Sequence, residues 1–253
     1  MDRRFTEEMT TDFLWATYFG ITQNDADNDK EKAAYYCADR AYRDLCRVIS
    51  YKYSSSTIEK NKKKYSDYDY IDKKSKFRDA VCKYIVTSIK KIDSDFETFH
   101  RKTCRGIITI SDGTDEKSID YSGLFKLDKT RKIGLNYGLA QKWLNMTIKN
   151  MLVMGLWDNF NNILPDLHIP LDSYIFDAAG GAKGERIYEN EGEHLGIIAR
   201  DYFDNYTWSQ IPDESNQIEE YYNYQREIQK RTSNKQIEWE HAAWIAESKK
   251  KSK

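Results

Sequence analysis

Residues 138–155, "GLAQKWLNMTIKNMLVMG", constrain the fold more than any other stretch of the chain. On a helical wheel Leu139, Trp143, Leu144, Ile148, Met151 and Leu152 cover most of the circumference. A helix that is apolar on most sides must be buried on most sides, so this segment is expected at the centre of a helical structure. The punctuation agrees. Only three prolines and twelve glycines interrupt 253 residues, which favours helices over many short strands. That length permits one large domain or two small ones and is enough to bury a real core. The fold class is therefore expected to be mainly α, with at most a short strand pair.

Helical spacing predicts further elements around that centre. A first helix is expected over 6–20. "NDADNDKEK" follows as a polar loop. Its Asp25, Asp27 and Asp29 have calcium-loop spacing, but Lys30 stands where the tight-turn glycine belongs and Tyr36 where the closing glutamate belongs. Calcium is excluded there, and a helix start is expected instead. Ala34, Cys37, Ala41, Leu45 and Val48 predict a helix over 31–51; Phe77, Val81, Ile85 and Ile89 predict another over 75–92. The lysine-rich segment between them reads as a loop with a short helix. "CRGIITISDGTDEKSIDYSGLF" (104–125) reads as β-rich or irregular and is the place for a short strand pair. A proline-led entry at "HIPLDSYIFDAAGG" predicts a short helix ending at Gly180–Gly181, and two helices near 215–231 and 235–248 follow.

The formal net charge of −1 conceals segregation. Residues 52–91 carry twelve Lys/Arg against five Asp/Glu, and residues 185–227 eleven acids against three arginines. The first segment suits a phosphate backbone; both also suit ordinary solvated helix faces. Cys37, Cys46, Cys82 and Cys104 form no CxxC pair and lack the spacing of an iron–sulfur cluster. With no apolar core of a secretion signal in "MDRRFTEEMTTDF", they read as reduced thiols of a cytoplasmic protein. No apolar run reaches the roughly eighteen residues of a membrane span.

Two positions carry the candidate chemistry. Taken singly they are ordinary: Asp172 after "HIPL" reads as a helix N-cap, and Lys142 as a solvated lysine. Taken together, Gly138-Leu139-Ala140-Gln141-Lys142 at a helix start and Ile169-Pro170-Leu171-Asp172 thirty residues on resemble the helix–hairpin–helix family of DNA glycosylases with a catalytic lysine. The long Lys–Asp separation is closest in pattern to the archaeal-type 8-oxoguanine glycosylases. The resemblance covers residues 130–180. Ala140 departs from it, standing where the family's hairpin has a second glycine.

The resemblance implies a single domain of two helical lobes over 1–253 that flips a damaged or modified base out of double-stranded DNA and excises it, acting as a monomer without cofactor or metal. Lys142 takes the nucleophile's role, with β-lyase activity through a Schiff base, and Asp172 stabilises the sugar cation. A base pocket is expected from Trp143, Tyr174, His168 and Trp239, with Trp208, Trp244 and Tyr224 as further aromatic candidates. Contacts to the DNA backbone are expected from Gly138, Ala140, Gln141, Lys149 and Lys183. The base is 8-oxoguanine by resemblance, or another modified base, including one of invading phage DNA. Repair and antiviral defence therefore both remain open. The alternative is a non-catalytic helical module that binds nucleic acid or protein.

Overall fold

The structure, a computed structural model, describes residues 6–53, 67–92, 95–112, 119–126, 135–156, 162–188, 191–203 and 207–252. It is mainly α. The helices are α1 (Glu7–Leu14), α2 (Gln23–Asn28), α3 (Lys30–Leu45), α4 (Asp67–Ile89), α5 (Phe96–Asp112), α6 (Tyr137–Val153), α7 (Ser173–Gly180), α8 (Ser215–Arg231) and α9 (Gln236–Lys251). The sheet seen among the described residues is a two-stranded antiparallel hairpin, β1 (Arg186–Tyr188) and β2 (Glu191–Glu193), in the register Arg186↔Glu193 and Tyr188↔Glu191. The chain divides into two compact units: 1–92, 106–135 and 146–158 form the first, and 93–105, 136–145 and 159–253 the second.

In the first unit the 6–20 helix is shorter than its pattern. α1 stops at Leu14, and a π-helical turn over Trp15–Phe19 ends at Gly20, whose φ of 81° needs a glycine. The expected polar loop is itself ordered. Thr22 and Asp25 form a capping box that starts α2, and Asp29 caps α3 by accepting from the Lys32 N–H at 2.9 Å. The three aspartates of the rejected calcium pattern thus lie in or beside helix starts. α3 packs on α4. Ala34, Cys37, Ala38, Ala41 and Leu45 meet Phe77, Val81, Ile85 and Ile89, and all nine are 2 % exposed or less; beside them the buried Asp39 of α3 is bridged to Arg78 of α4 at 3.2 Å. α4 begins at Asp67, eight residues before the expected start, and α3 ends at Leu45, six residues before the expected end.

The β-rich reading of 104–125 fails at its start. "CRGIITISD" is the C-terminal half of α5, because Cys104, Ile107, Ile108 and Ser111 recur at helical spacing and are buried; burial overrides the strand preference of isoleucine and threonine. Gly106 is needed there, since a Cβ would lie 1.9 Å from the Tyr84 hydroxyl oxygen. Residues 113–118 lie outside the described residues. Among the described residues of that stretch the extended contact is at Phe125, which bridges antiparallel to Tyr51.

In the second unit α9 packs on α7 and on the β1–β2 hairpin. Ala178, Ile187, Ala243 and Ala246 form the buried seam, and Trp239 covers it while donating its indole N–H to the Glu193 carbonyl at 2.7 Å. α8 and α9 match the two closing helices read from the pattern.

Candidate lysine–carboxylate site

The N-terminal turns of α6 are packed tightly. Tyr137, Ala140, Gln141, Trp143 and Leu144 are fully buried. Gly138 allows the approach of a neighbouring loop: a Cβ would lie 2.0 Å from the Trp208 carbonyl oxygen, and its own N–H donates to the Ile211 carbonyl at 3.1 Å. The next two N–H groups are engaged as well, Leu139 with the Asn136 side chain at 3.0 Å and Ala140 with the Asn136 carbonyl at 3.1 Å. Residues 127–134, which include the start of the 130–180 segment that the resemblance covers, lie outside the described residues. Gly138 and Ala140 lie in the first turn of α6.

Asp172 caps α7. Its backbone is extended (φ −150°, ψ −177°), and its Oδ1 accepts the Ile175 N–H at 3.0 Å, a contact worth about 1 kcal/mol. Its other oxygen accepts from the Lys142 ammonium at 3.1 Å. The ammonium also lies 4.3 Å from the centroid of the Trp208 ring, a cation–π contact worth about 1 kcal/mol. The two charged side chains are only 11 % and 13 % exposed, so they form a largely desolvated pair rather than a surface bridge. Removing one partner of such a pair leaves an uncompensated charge, at a cost of about 3 kcal/mol.

The pair is held by a polar core that the motif did not reveal. Asn145 lies three residues after Lys142, on the same helix. Its Nδ2 donates to Gln141 Oε1 at 3.0 Å, to the Ile169 carbonyl at 3.2 Å and to the Tyr221 hydroxyl at 3.0 Å. Gln225 grips the same peptide, accepting the Ile169 N–H at 3.2 Å and donating to its carbonyl at 2.8 Å. The segment that presents Asp172 is therefore tied to α6 and α8 three residues before the carboxylate.

Hydrogen-bond roles follow from chemistry. Asn145 Oδ1 can only accept, so His100 Nε2, 3.1 Å away, carries the proton. His100 Nδ1 then accepts from the Tyr222 hydroxyl at 2.9 Å, and Tyr222 accepts from Tyr137 at 2.6 Å. Tyr221 already accepts from Asn145 and Gln225, so its own proton goes to His168 Nδ1 at 3.1 Å. Burial pulls His100 down to about 3 and holds His168 well below the usual histidine range; both rings are neutral near pH 7.

The remaining expected site residues do not gather at the pair. His168 and Trp143 are core residues, 5 % and 0 % exposed, so neither offers a wall to a ligand in this structure. Tyr224 is also fully buried. Tyr174 lies half-buried against Trp244, with the Lys251 amine 4.2 Å from its ring centre, and Trp239 is occupied by the hairpin. Of the expected backbone contacts, Ala140 is fully buried, and so is Gln141, which spends its amide on the Gly138 carbonyl at 2.9 Å and on Asn145. Lys183 is exposed in the turn before β1, and Lys149 is half-buried in the first unit. Trp208 is the aromatic candidate that the structure does bring to Lys142. Asn145, Gln225, His100, Tyr221 and Tyr222 were missed. The available signal was polar Gln141 and Asn145 inside the most apolar helix, four residues apart and therefore on one side of it.

Among the described residues, no three or more His, Cys, Asp or Glu side chains are placed to hold a metal, and no helix is long and apolar enough to cross a membrane. Comparison with protein-family models, curated proteins and solved structures finds no match to this chain. Fold and site together define a mainly α protein that carries a buried lysine–aspartate pair against an indole face.

Proposed function

We propose that the chain is a DNA N-glycosylase with lyase activity, with Lys142 as nucleophile and Asp172 as the carboxylate beside the sugar. One observation carries the reading: the lysine amine and the aspartate oxygen of the two matched motifs meet at 3.1 Å, mostly out of water. The amine must be neutral to react. In the proposed reaction Lys142, having given up its ammonium proton, bonds to the anomeric carbon as the bond to the base breaks. The bonding pair leaves with the base, which takes up the proton that Lys142 gave up. Asp172 opposes the positive charge that develops on the sugar ring. Opening of the ring then gives the protonated imine. Loss of a proton from the neighbouring carbon expels the 3′ phosphate and cleaves the strand by β-elimination.

A second reading rests on a specific observation. Asp172 also caps α7, and Trp208 covers the amine, so the pair has the form of a strut that joins α6 to the start of α7. In that case the chain is a non-catalytic helical module. A base-release assay on duplexes that carry oxidised purines, uracil, alkylated bases or hypermodified cytosines separates the two. The glycosylase reading expects release from at least one substrate and its loss in Asp172→Asn with DNA binding retained. No release from any substrate by the folded wild type favours the strut.

A further inference from the structure

The outer face of the first helix is uncovered and carries no charge. On the inner side Trp15 and Phe19 of the π-helical turn are buried with their ring centres 5.0 Å apart, and that turn packs on α3. The opposite side holds Met9, Phe13, Leu14 and Tyr18, each between 38 % and 60 % exposed. Thr10 and Thr17, about two turns apart along the helix, lie between them and are exposed, as is Ala16. Asp12 is the one charged residue from Met9 to Phe19, and its Oδ1 accepts the Gln23 N–H at 2.8 Å, on the side of α2.

The two threonines do not need water. The Thr10 hydroxyl donates to the Thr6 carbonyl at 3.0 Å and the Thr17 hydroxyl to the Phe13 carbonyl at 2.6 Å, so each has its partner within its own helix. Covering them strands no polar group, whereas four large apolar side chains gain by leaving water. Among the described residues no other helix, strand or turn exposes more than one large apolar side chain. Singly exposed apolar residues are ordinary; a contiguous group of four marks a contact surface.

We infer that this face pairs two copies of the chain about a two-fold axis, α1 against α1 in antiparallel sense. An uncharged apolar face needs a partner of the same kind, and α1 itself is the one that the described residues supply. Charge sets the direction. Glu7 and Glu8 open the helix, so a parallel pair would bring two acidic starts together and align the helix dipoles. An antiparallel pair separates the starts and sets each one towards its partner's Tyr18 end. There Arg40, bridged to Asp44 at 3.4 Å, lies 3.9 Å over the Tyr18 ring. The axis then passes between Phe13 and Leu14, the middle of the Met9–Tyr18 span, and each Phe13 meets its own counterpart. Four large side chains are few beside the roughly 20 residues that each partner brings to a standard interface, so the dimer is weak and reversible. The inference goes beyond the glycosylase reading, whose family pattern implies a monomer.

The test is sedimentation velocity of the full chain, without DNA, between about 1 and about 200 µM. Wild type is expected to shift from monomer towards dimer as concentration rises. Phe13→Asp sets like charges at the axis and is expected to weaken association at least about tenfold. An equimolar mixture of Phe13→Asp and Phe13→Lys is expected to recover it, because only a contact of Phe13 with its own counterpart brings those two charges together. Phe13 is 60 % exposed, so unchanged circular dichroism and thermal midpoint are expected and keep the result readable. Four outcomes overturn the inference: wild type monomeric across the range, folded Phe13→Asp that associates like wild type, no recovery in the mixture, or a monomeric wild type that binds phosphatidylcholine vesicles through Phe13. Base release is measured on DNA, which is absent from every arm, so failure here and failure of the glycosylase reading are separately visible.

Discussion

The two units differ in what they bury. In the first, α3 and α4 meet mainly through alanine, cysteine, leucine, isoleucine, valine and phenylalanine, and buried Asp39 is bridged to Arg43 and Arg78. In the second, the centre holds His100, Asn145, His168, Gln225 and three tyrosines in a closed hydrogen-bond network. All four histidines of the chain belong to the second unit. An apolar contact tolerates small shifts because it has no direction. A buried hydrogen bond does not, since an unmade one costs about 1–3 kcal/mol. The polar core therefore fixes geometry, and what it fixes is the approach of the Ile169–Asp172 segment to α6.

The difference can be broken experimentally, beginning with the largest effect. Phe77→Ala in the first unit removes a fully buried ring and is expected to cost about 4 kcal/mol, measured as a lower urea midpoint. Asn145→Ala removes far less volume but takes the nearer partner from His100 Nε2, leaving the Tyr221 hydroxyl at 3.3 Å, and removes the donor to Gln141 Oε1. A loss of about 3 kcal/mol is expected; a loss below about 1 kcal/mol would show that the network is not integral to the fold.

Next comes acid sensitivity. His100 is held near 3 in the folded state against 6.5 when unfolded, so below pH 6.5 the unfolded chain binds a proton that the native chain refuses. Stability therefore falls as pH drops from 6.5 towards 3, by about 1.4 kcal/mol per pH unit, and His168 acts in the same direction. Urea unfolding across that range should show the slope, reduced by about 1.4 kcal/mol per unit in His100→Gln. The smallest effect belongs to the first unit's surface: Lys52→Gln should change stability by less than about 0.5 kcal/mol.

The same contrast explains how far the sequence could be read. The stripe at Phe77, Val81, Ile85 and Ile89 announces its helix because apolar periodicity records burial directly, and α6 was recognisable as a central helix for the same reason. Hydrogen-bond partners leave no such periodic trace. His100 and Tyr222 are 122 positions apart, and nothing local in either says that they meet. The 104–112 segment was misread because its isoleucines and threonines have strand preference, whereas burial of Cys104, Ile107 and Ile108 decides for helix. Lys142 and Asp172 were legible as a pair only through their motif spacing. The expected pocket aromatics were chosen by residue type, which does not separate Trp143 in the core from Trp208 beside the amine.

The sharpest question concerns Lys142 itself, as nucleophile or as one end of a strut. Borohydride reduction of the protein on abasic and base-modified duplexes addresses it, because an imine between enzyme and sugar becomes a permanent adduct. The result expected is a covalent protein–DNA band with wild type and none with Lys142→Gln, at equal DNA binding. A band that persists in Lys142→Gln, or no band from folded wild type on any duplex, would contradict the role assigned to Lys142.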